Sequence, residues 1–136
     1  MNQVDTLDAS YRKVVNYLIK NGIKISESVP LNHNRYKIIK AEQGNYLILF
    51  KREFFLSFGK IFKSFGESGA GETINKEDLK YAISNGVRNI IITYPSGNIY
   101  SISVEDFLMH SHERVNEFEN KETRSINIKH LRRENG

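Results

Sequence analysis

The stretch "GESGAGET", Gly66 to Thr73, holds the residue types from which phosphate sites are built. Closely spaced glycines let successive backbone N–H groups turn toward an anion, and a hydroxyl such as that of Thr73 can ligate an accompanying magnesium. Such a loop also needs a buried strand before it, a lysine for the outer phosphates and a helix directly after it. The spacing predicts the helix, but Glu72 stands where the lysine belongs, and "FGKIFKSF" ahead of Gly66 does not read as a buried strand. A carboxylate about 4 Å from a phosphate oxygen costs on the order of 4 kcal/mol at an effective dielectric of about 20. The next apolar strand, "IIITYPSG", ends in Tyr94 and Pro95 rather than in an acid that would hold magnesium.

Over these residues the chain resembles the phosphate loop of the myosin motors with its lysine replaced. Without that charge, residues 66–73 read as a flexible glycine-rich loop, and nucleotide hydrolysis is not expected.

Other chemistry-bearing residues are scattered. His110 and His112 cannot share one side of a helix, and His33 and His130 fall in different elements, so no histidine metal site is expected. Ser111, His112 and Glu113 have the letters of a catalytic triad, but neighbours in a helix cannot form a relay whose members must converge from separate elements. Cysteine is absent, which removes disulfides, thiolate zinc sites and a cysteine nucleophile.

Cations are more suggestive. "FKREFFLSFGKIFKSF" interleaves Lys51, Arg52, Lys60 and Lys63 with phenylalanines, a pattern in which lysine meets phosphate and an exposed ring stacks on a base. The same phenylalanines also suit a core. Lys129, His130, Arg132 and Arg133 form the densest basic cluster, in a basic C-terminal arm over residues 124–136 whose sequence "RSINIKHLRRENG" offers one short strand or an extended arm. The formal charge of +4 and a pI near 9.3 favour a polyanionic partner.

The elements that must position these residues follow from periodicity. In 136 residues, 39% of them hydrophobic, one ordinary core and a single domain spanning 1–136 are expected. No apolar run approaches the roughly 20 residues of a membrane span, and "MNQVDTLDAS" lacks the pattern of a signal peptide, so a cytoplasmic protein without a membrane partner is expected. Leu7, Tyr11, Val14, Val15, Leu18 and Ile19 recur at helix spacing, with Asp5 or Thr6 to start the helix and Gly22 to end it. "KISESVPLNHN" reads as a connector, "RYKIIKAE" and "NYLILFKREFF" as a hairpin turning at Gln43 and Gly44, and "LSFGKIFKSF" as a short interrupted helix.

Asn75 caps a second helix with Leu79, Ala82 and Ile83 inward and Asn85-Gly86 at its end. "VRNIIITY" is a strand inside the sheet, and "PSG" turns it into "NIYSIS". Ser103 and Asp106 suggest a cap for a third helix carrying Val104, Phe107, Leu108, Val115 and Phe118. The fold class is therefore α+β: a mixed central sheet built from two hairpins with flanking helices.

Helix, hairpin, helix, strand is similar to the restriction-endonuclease-like, or PD-(D/E)XK, superfamily, in which the second hairpin strand ends in acid-x-Lys and the first begins near an Asp. The arm "SINIKHLRR" resembles the end of small nuclease-like proteins of archaeal viruses and plasmids. The resemblance puts Lys51 in the lysine position, but Leu49 in the acid position and Asn34 or Arg35 where the Asp is expected. Stand-in acids would be Glu27, Glu42 and Glu53.

The reading is a nucleic-acid-binding protein, for DNA or RNA, on a nuclease-like frame without the usual catalysis and without a cofactor. It would use Lys51, Arg52, Lys60, Lys63, Lys129, Arg132 and Arg133. One alternative is a metal-dependent nuclease whose relocated acids hold magnesium or manganese. The other is an interaction or assembly factor of a virus or plasmid that uses "SFGKIFKSF" as a contact surface and self-associates.

Overall fold

The computed structural model describes residues 3–31, 36–50, 54–55, 61–62, 72–94, 98–116 and 120–134. Helix α1 spans Gln3–Lys20, beginning ahead of the caps expected at Asp5 or Thr6. At its other end Gly22, at φ 79°, lets the Ile23 N–H return to the Leu18 carbonyl at 3.0 Å. Glycine takes this left-handed turn without the backbone strain that a side chain brings.

Strand β1 (Ile25–Leu31) occupies the segment expected to be a connector. It pairs antiparallel with β2 (Tyr36–Ala41) alone, as the outermost strand of its sheet. The lack of an N–H on Pro30, which argued against a strand, is tolerated at a sheet edge. β2 and β3 (Asn45–Phe50) form the expected hairpin, with Tyr36 opposite Leu49 and Ile39 opposite Tyr46. β3 stops at Phe50. Of the phenylalanine-rich segment that follows, the described residues form two short paired strands, β4 (Phe54–Phe55) and β5 (Ile61–Phe62), so Ile61 and Phe62, expected in a short helix, are strand residues.

β6 (Glu72–Asn75) leads directly into α2 (Lys76–Ser84), where Asn75 Oδ1 accepts the Glu77 N–H at 3.0 Å. Leu79 and Ala82 face inward, but Ile83 is exposed, because α2 packs through one narrow stripe. Gly86, at φ 79°, ends the helix and delivers the chain to β7 (Val87–Thr93). β7 runs parallel to β3 and antiparallel to β8 (Ile99–Ser103). Its apolar run follows from this position, since both of its faces are covered.

Ser103 caps α3 (Val104–His110) by accepting the Asp106 N–H at 3.1 Å. The expected continuation of α3 through Val115 does not occur. His112–Asn116 is strand β9, paired with β10 (Lys121–Ile126), which also pairs with β6. Arg124 of β10 explains the stop. Its guanidinium donates to the carbonyls of Leu108 and Ser111 at 3.3 and 3.2 Å and to Ser111 Oγ at 2.9 Å, satisfying acceptors that another turn of helix would have used. A 3-10 turn (Ile128–His130) and strand β11 (Arg132–Arg133) follow.

The protein is a single small α+β domain. Its main sheet has the order β1-β2-β3-β7-β8-β11, and a smaller antiparallel sheet has the order β6-β10-β9. Residues alternate between the two faces of the main sheet. Ile39, Ile48, Ile91 and Ile99 pack under Val14 and Leu18 of α1. On the other face Ile38, Leu47, Leu49, Ile90 and Ile92 meet Leu79 of α2, Phe107 of α3, and Ile74 and Ile126 of the small sheet. Ile19, assigned to the helix period, is 59% exposed at the end of α1.

Candidate nucleic-acid interface

Residues 124–134 of the basic C-terminal segment run through β10, the 3-10 turn and β11. Asn127 Oδ1 accepts the Lys129 N–H at 3.0 Å and sets the 3-10 turn. Leu131 is buried against the core, and Arg132 and Arg133 pair with Ser101 and Tyr100 of β8. An apolar residue every few positions and a free strand edge to pair with turned a solvated tail into the last strand.

Glu134 fixes this strand to the first helix. Its N–H donates to the Ile99 carbonyl at 2.8 Å, while its carboxylate accepts from the Tyr17 hydroxyl at 2.8 Å and from the Ser101 hydroxyl. Arg132 Nε lies 3.6 Å from the same carboxylate. Burial alone would raise the Glu134 pKa, but the hydroxyls of Ser101 and Tyr17 and the charge of Arg132 outweigh it and hold it below the usual carboxylate range. Tyr17 is pushed up to about 12, chiefly by burial and then by its hydrogen bond to the Glu134 carboxylate and by that group's charge.

Of the three cations assigned here, Lys129 is exposed on the turn and has no ion-pair partner among the described residues. The Arg132 side chain is 83% exposed. Arg133 is also exposed, and its Nη2 donates to Asn98 Oδ1 at 2.9 Å. Successive β-strand side chains point to opposite faces, so Arg132 leans to the α1 side of the sheet and Arg133 to the α3 side. The cations therefore straddle a sheet edge rather than cover one face.

Two histidines expected to be unrelated meet beside this edge. His110, the last residue of α3, stacks on His130 of the 3-10 turn, with ring centroids 4.4 Å apart and planes inclined by 11°. Burial, then His110, then the Lys129 charge lower the His130 pKa from its ordinary value. His112 belongs to β9, away from helical geometry altogether. His33 lies outside the described residues.

Lys51, Arg52, Glu53, Lys60, Lys63, Asn34 and Arg35 also lie outside the described residues. The stand-in acids that are described do not gather near the end of β3. Glu42 is in the turn between β2 and β3, and Glu27 pairs across β1 and β2 with Lys40, their charged atoms 3.7 Å apart. β3 leaves that turn and reaches Phe50 at its far end, on the order of 17 Å away at the rise of an extended chain. Leu49, in the acid position of the nuclease-like pattern, is buried against the core. Among the described residues no group of three or more His, Asp or Glu converges as for a metal.

The residue missed by sequence reasoning is Glu72. It opens β6, is only 2% exposed, and accepts the Tyr94 hydroxyl at 2.6 Å. Tyr94 in turn meets Tyr100 edge to face at 5.4 Å. Thr73 Oγ1 lies 2.7 Å from Ser125 Oγ of β10. Glu72 and Thr73, both counted in the glycine-rich loop, are thus strand residues; residues 66–71 lie outside the described ones. The one available signal was alternation, since Glu72 and Ile74 point the same way along β6.

No protein-family model matches this chain, and neither a curated protein nor a solved structure matches it significantly. Among the described residues no helix is long and apolar enough to cross a membrane.

Proposed function

We propose that this protein binds nucleic acid, with the β11 edge and the turn before it as the contact surface. The observation that carries this reading is Lys129, Arg132 and Arg133 held exposed on a short, anchored segment, in a chain of formal charge +4. Anchoring matters because cations fixed by the fold meet phosphates without first losing the conformational freedom of a tail. Each phosphate neutralised releases condensed counterions, so affinity falls steeply with salt. Within the order α1, β1–β6, α2, β7, the helix, the β2–β3 hairpin, the second helix and β7 follow one another as in a nuclease-like frame, and the buried Leu49 favours binding over cleavage at the usual position.

The test is duplex binding followed by fluorescence anisotropy in chelator, with a triple variant, Lys129→Ala, Arg132→Ala and Arg133→Ala. The reading expects wild-type binding with a steep salt slope that is shallower in the variant. An unchanged slope in a folded variant removes β11 as the contact surface.

A further inference from the structure

The His110–His130 stack has no role in the core and lies beside the proposed contact surface. We propose that this pair is a proton-linked element of that surface, taking up a proton when nucleic-acid phosphate docks, so that binding tightens as pH falls through the histidine range. This rests on the nucleic-acid reading above and names a regulation of the same site.

The argument starts from geometry. Rings 4.4 Å apart and nearly parallel form a favourable stack when at least one is neutral, whereas two imidazolium ions at that separation repel. The charge nearest His130 is positive, that of Lys129. Lys129 is beside His130 on the turn, and Arg124 of β10 reaches the carbonyls at the end of α3 where His110 sits. Glu113 of β9 is 3.4 Å from Arg124 and 2.9 Å from Lys76, and Lys76 also lies 3.2 Å from Glu122 of β10, so these two cations and two acids offset one another. His112 opens β9. On α3, Glu105 occupies the first turn, and Asp106 is one turn before His110 without forming an ion pair to it. Arg132 and Arg133 follow His130 on β11, and the Glu134 carboxylate is committed to Tyr17, Ser101 and Arg132.

Among the described residues neither imidazole has a carboxylate partner. Burial, the stacked ring and the Lys129 charge therefore disfavour a proton on His130 in the free protein. Phosphates arriving at Lys129 and β11 reverse the local field and favour that proton. By linkage, uptake of one proton tightens binding by up to roughly tenfold per pH unit between the free and bound pKa values.

The experiment measures anisotropy of a fluorescein-labelled duplex at constant ionic strength from about pH 8 to about pH 6, spanning the ordinary histidine pKa. It compares the wild type with the double variant His110→Gln and His130→Gln. The proposal expects wild-type affinity to rise severalfold across this range, and the double variant to bind with the same salt slope but little pH dependence. Equal pH dependence in both proteins overturns the proton linkage while leaving the nucleic-acid reading intact. Absence of duplex binding at low salt at every pH overturns both.

A second measurement covers a variant that fails to fold. The C2-proton resonances of the wild-type histidines, assigned with single Gln variants, are titrated with and without saturating duplex. An upward pKa shift confined to His110 and His130 supports the linkage, and unchanged values overturn it.

Discussion

The hydroxyl of Tyr94 donates to the carboxylate of Glu72 at 2.6 Å inside the core, joining the residue after β7 to the first residue of β6. This contact links the main sheet to the small one. A buried carboxylate that loses a donor bears the cost of its own desolvation, about 1–3 kcal/mol or more for a charged group. Tyr94→Phe should therefore lower the unfolding free energy by about that amount. Urea denaturation measures it, and a double-mutant cycle with Glu72→Gln should show a non-zero coupling. Additive effects would mean that the two side chains act independently.

Glu134 and Tyr17 give the protein a pH-dependent closure. Tyr17 has its pKa raised from 10.0 to about 12 in the folded state, so its contribution is complete below about 10 and is lost as pH rises toward 12. Glu134 is depressed, so its contribution is present above the ordinary carboxylate value and is lost as pH falls through its lowered folded value. Thermal melting across pH should show that Tyr17→Phe removes part of the alkaline decline. Superimposable alkaline limbs in wild type and variant would contradict the assignment.

Thr93 is fully buried at the end of β7, and its hydroxyl has no hydrogen-bond partner among the described residues. Thr93→Val replaces that hydroxyl with a methyl of similar size. It should raise stability by about 1 kcal/mol, measured by denaturation, since a buried unpaired hydroxyl costs about 1–3 kcal/mol. A clear loss of stability would show that the hydroxyl has a partner after all.

Arg124 ends α3, and Arg124→Met keeps the aliphatic stem while removing the donors to Leu108, Ser111 and Glu113. We expect a loss of about 0.5–1.5 kcal/mol, since half-exposed acceptors at a helix end exchange the guanidinium donors for water. Amide exchange should quicken at residues 107–111 before it does so in β7. Uniform protection across both elements would contradict a local role.

Period and capping were readable from the chain alone. β7 was evident because three successive isoleucines need cover on both faces, and Asn75 and Ser103 announced their helices by residue type. Tertiary partners were not readable. β9 looked like the end of a helix until Arg124, from a strand later in the chain, satisfied the carbonyls at Leu108 and Ser111. β1 looked like a connector because Pro30 and polar residues suit a turn as well as an edge strand. For the site, the composition of the basic cluster was legible, but its anchoring through Leu131 and Glu134 was not. His110 and His130 are twenty positions apart, and only the return of the chain along β8 brings them into a stack.

The most direct measurement is the anisotropy of a labelled duplex titrated with the wild-type protein at several salt concentrations in chelator. The account predicts binding at low salt with a negative slope of log affinity on log salt, losing roughly one unit for each phosphate-contacting cation removed from Lys129, Arg132 and Arg133. No binding at low salt, by a protein shown to be folded, would contradict it and leave the positive charge without a nucleic-acid partner.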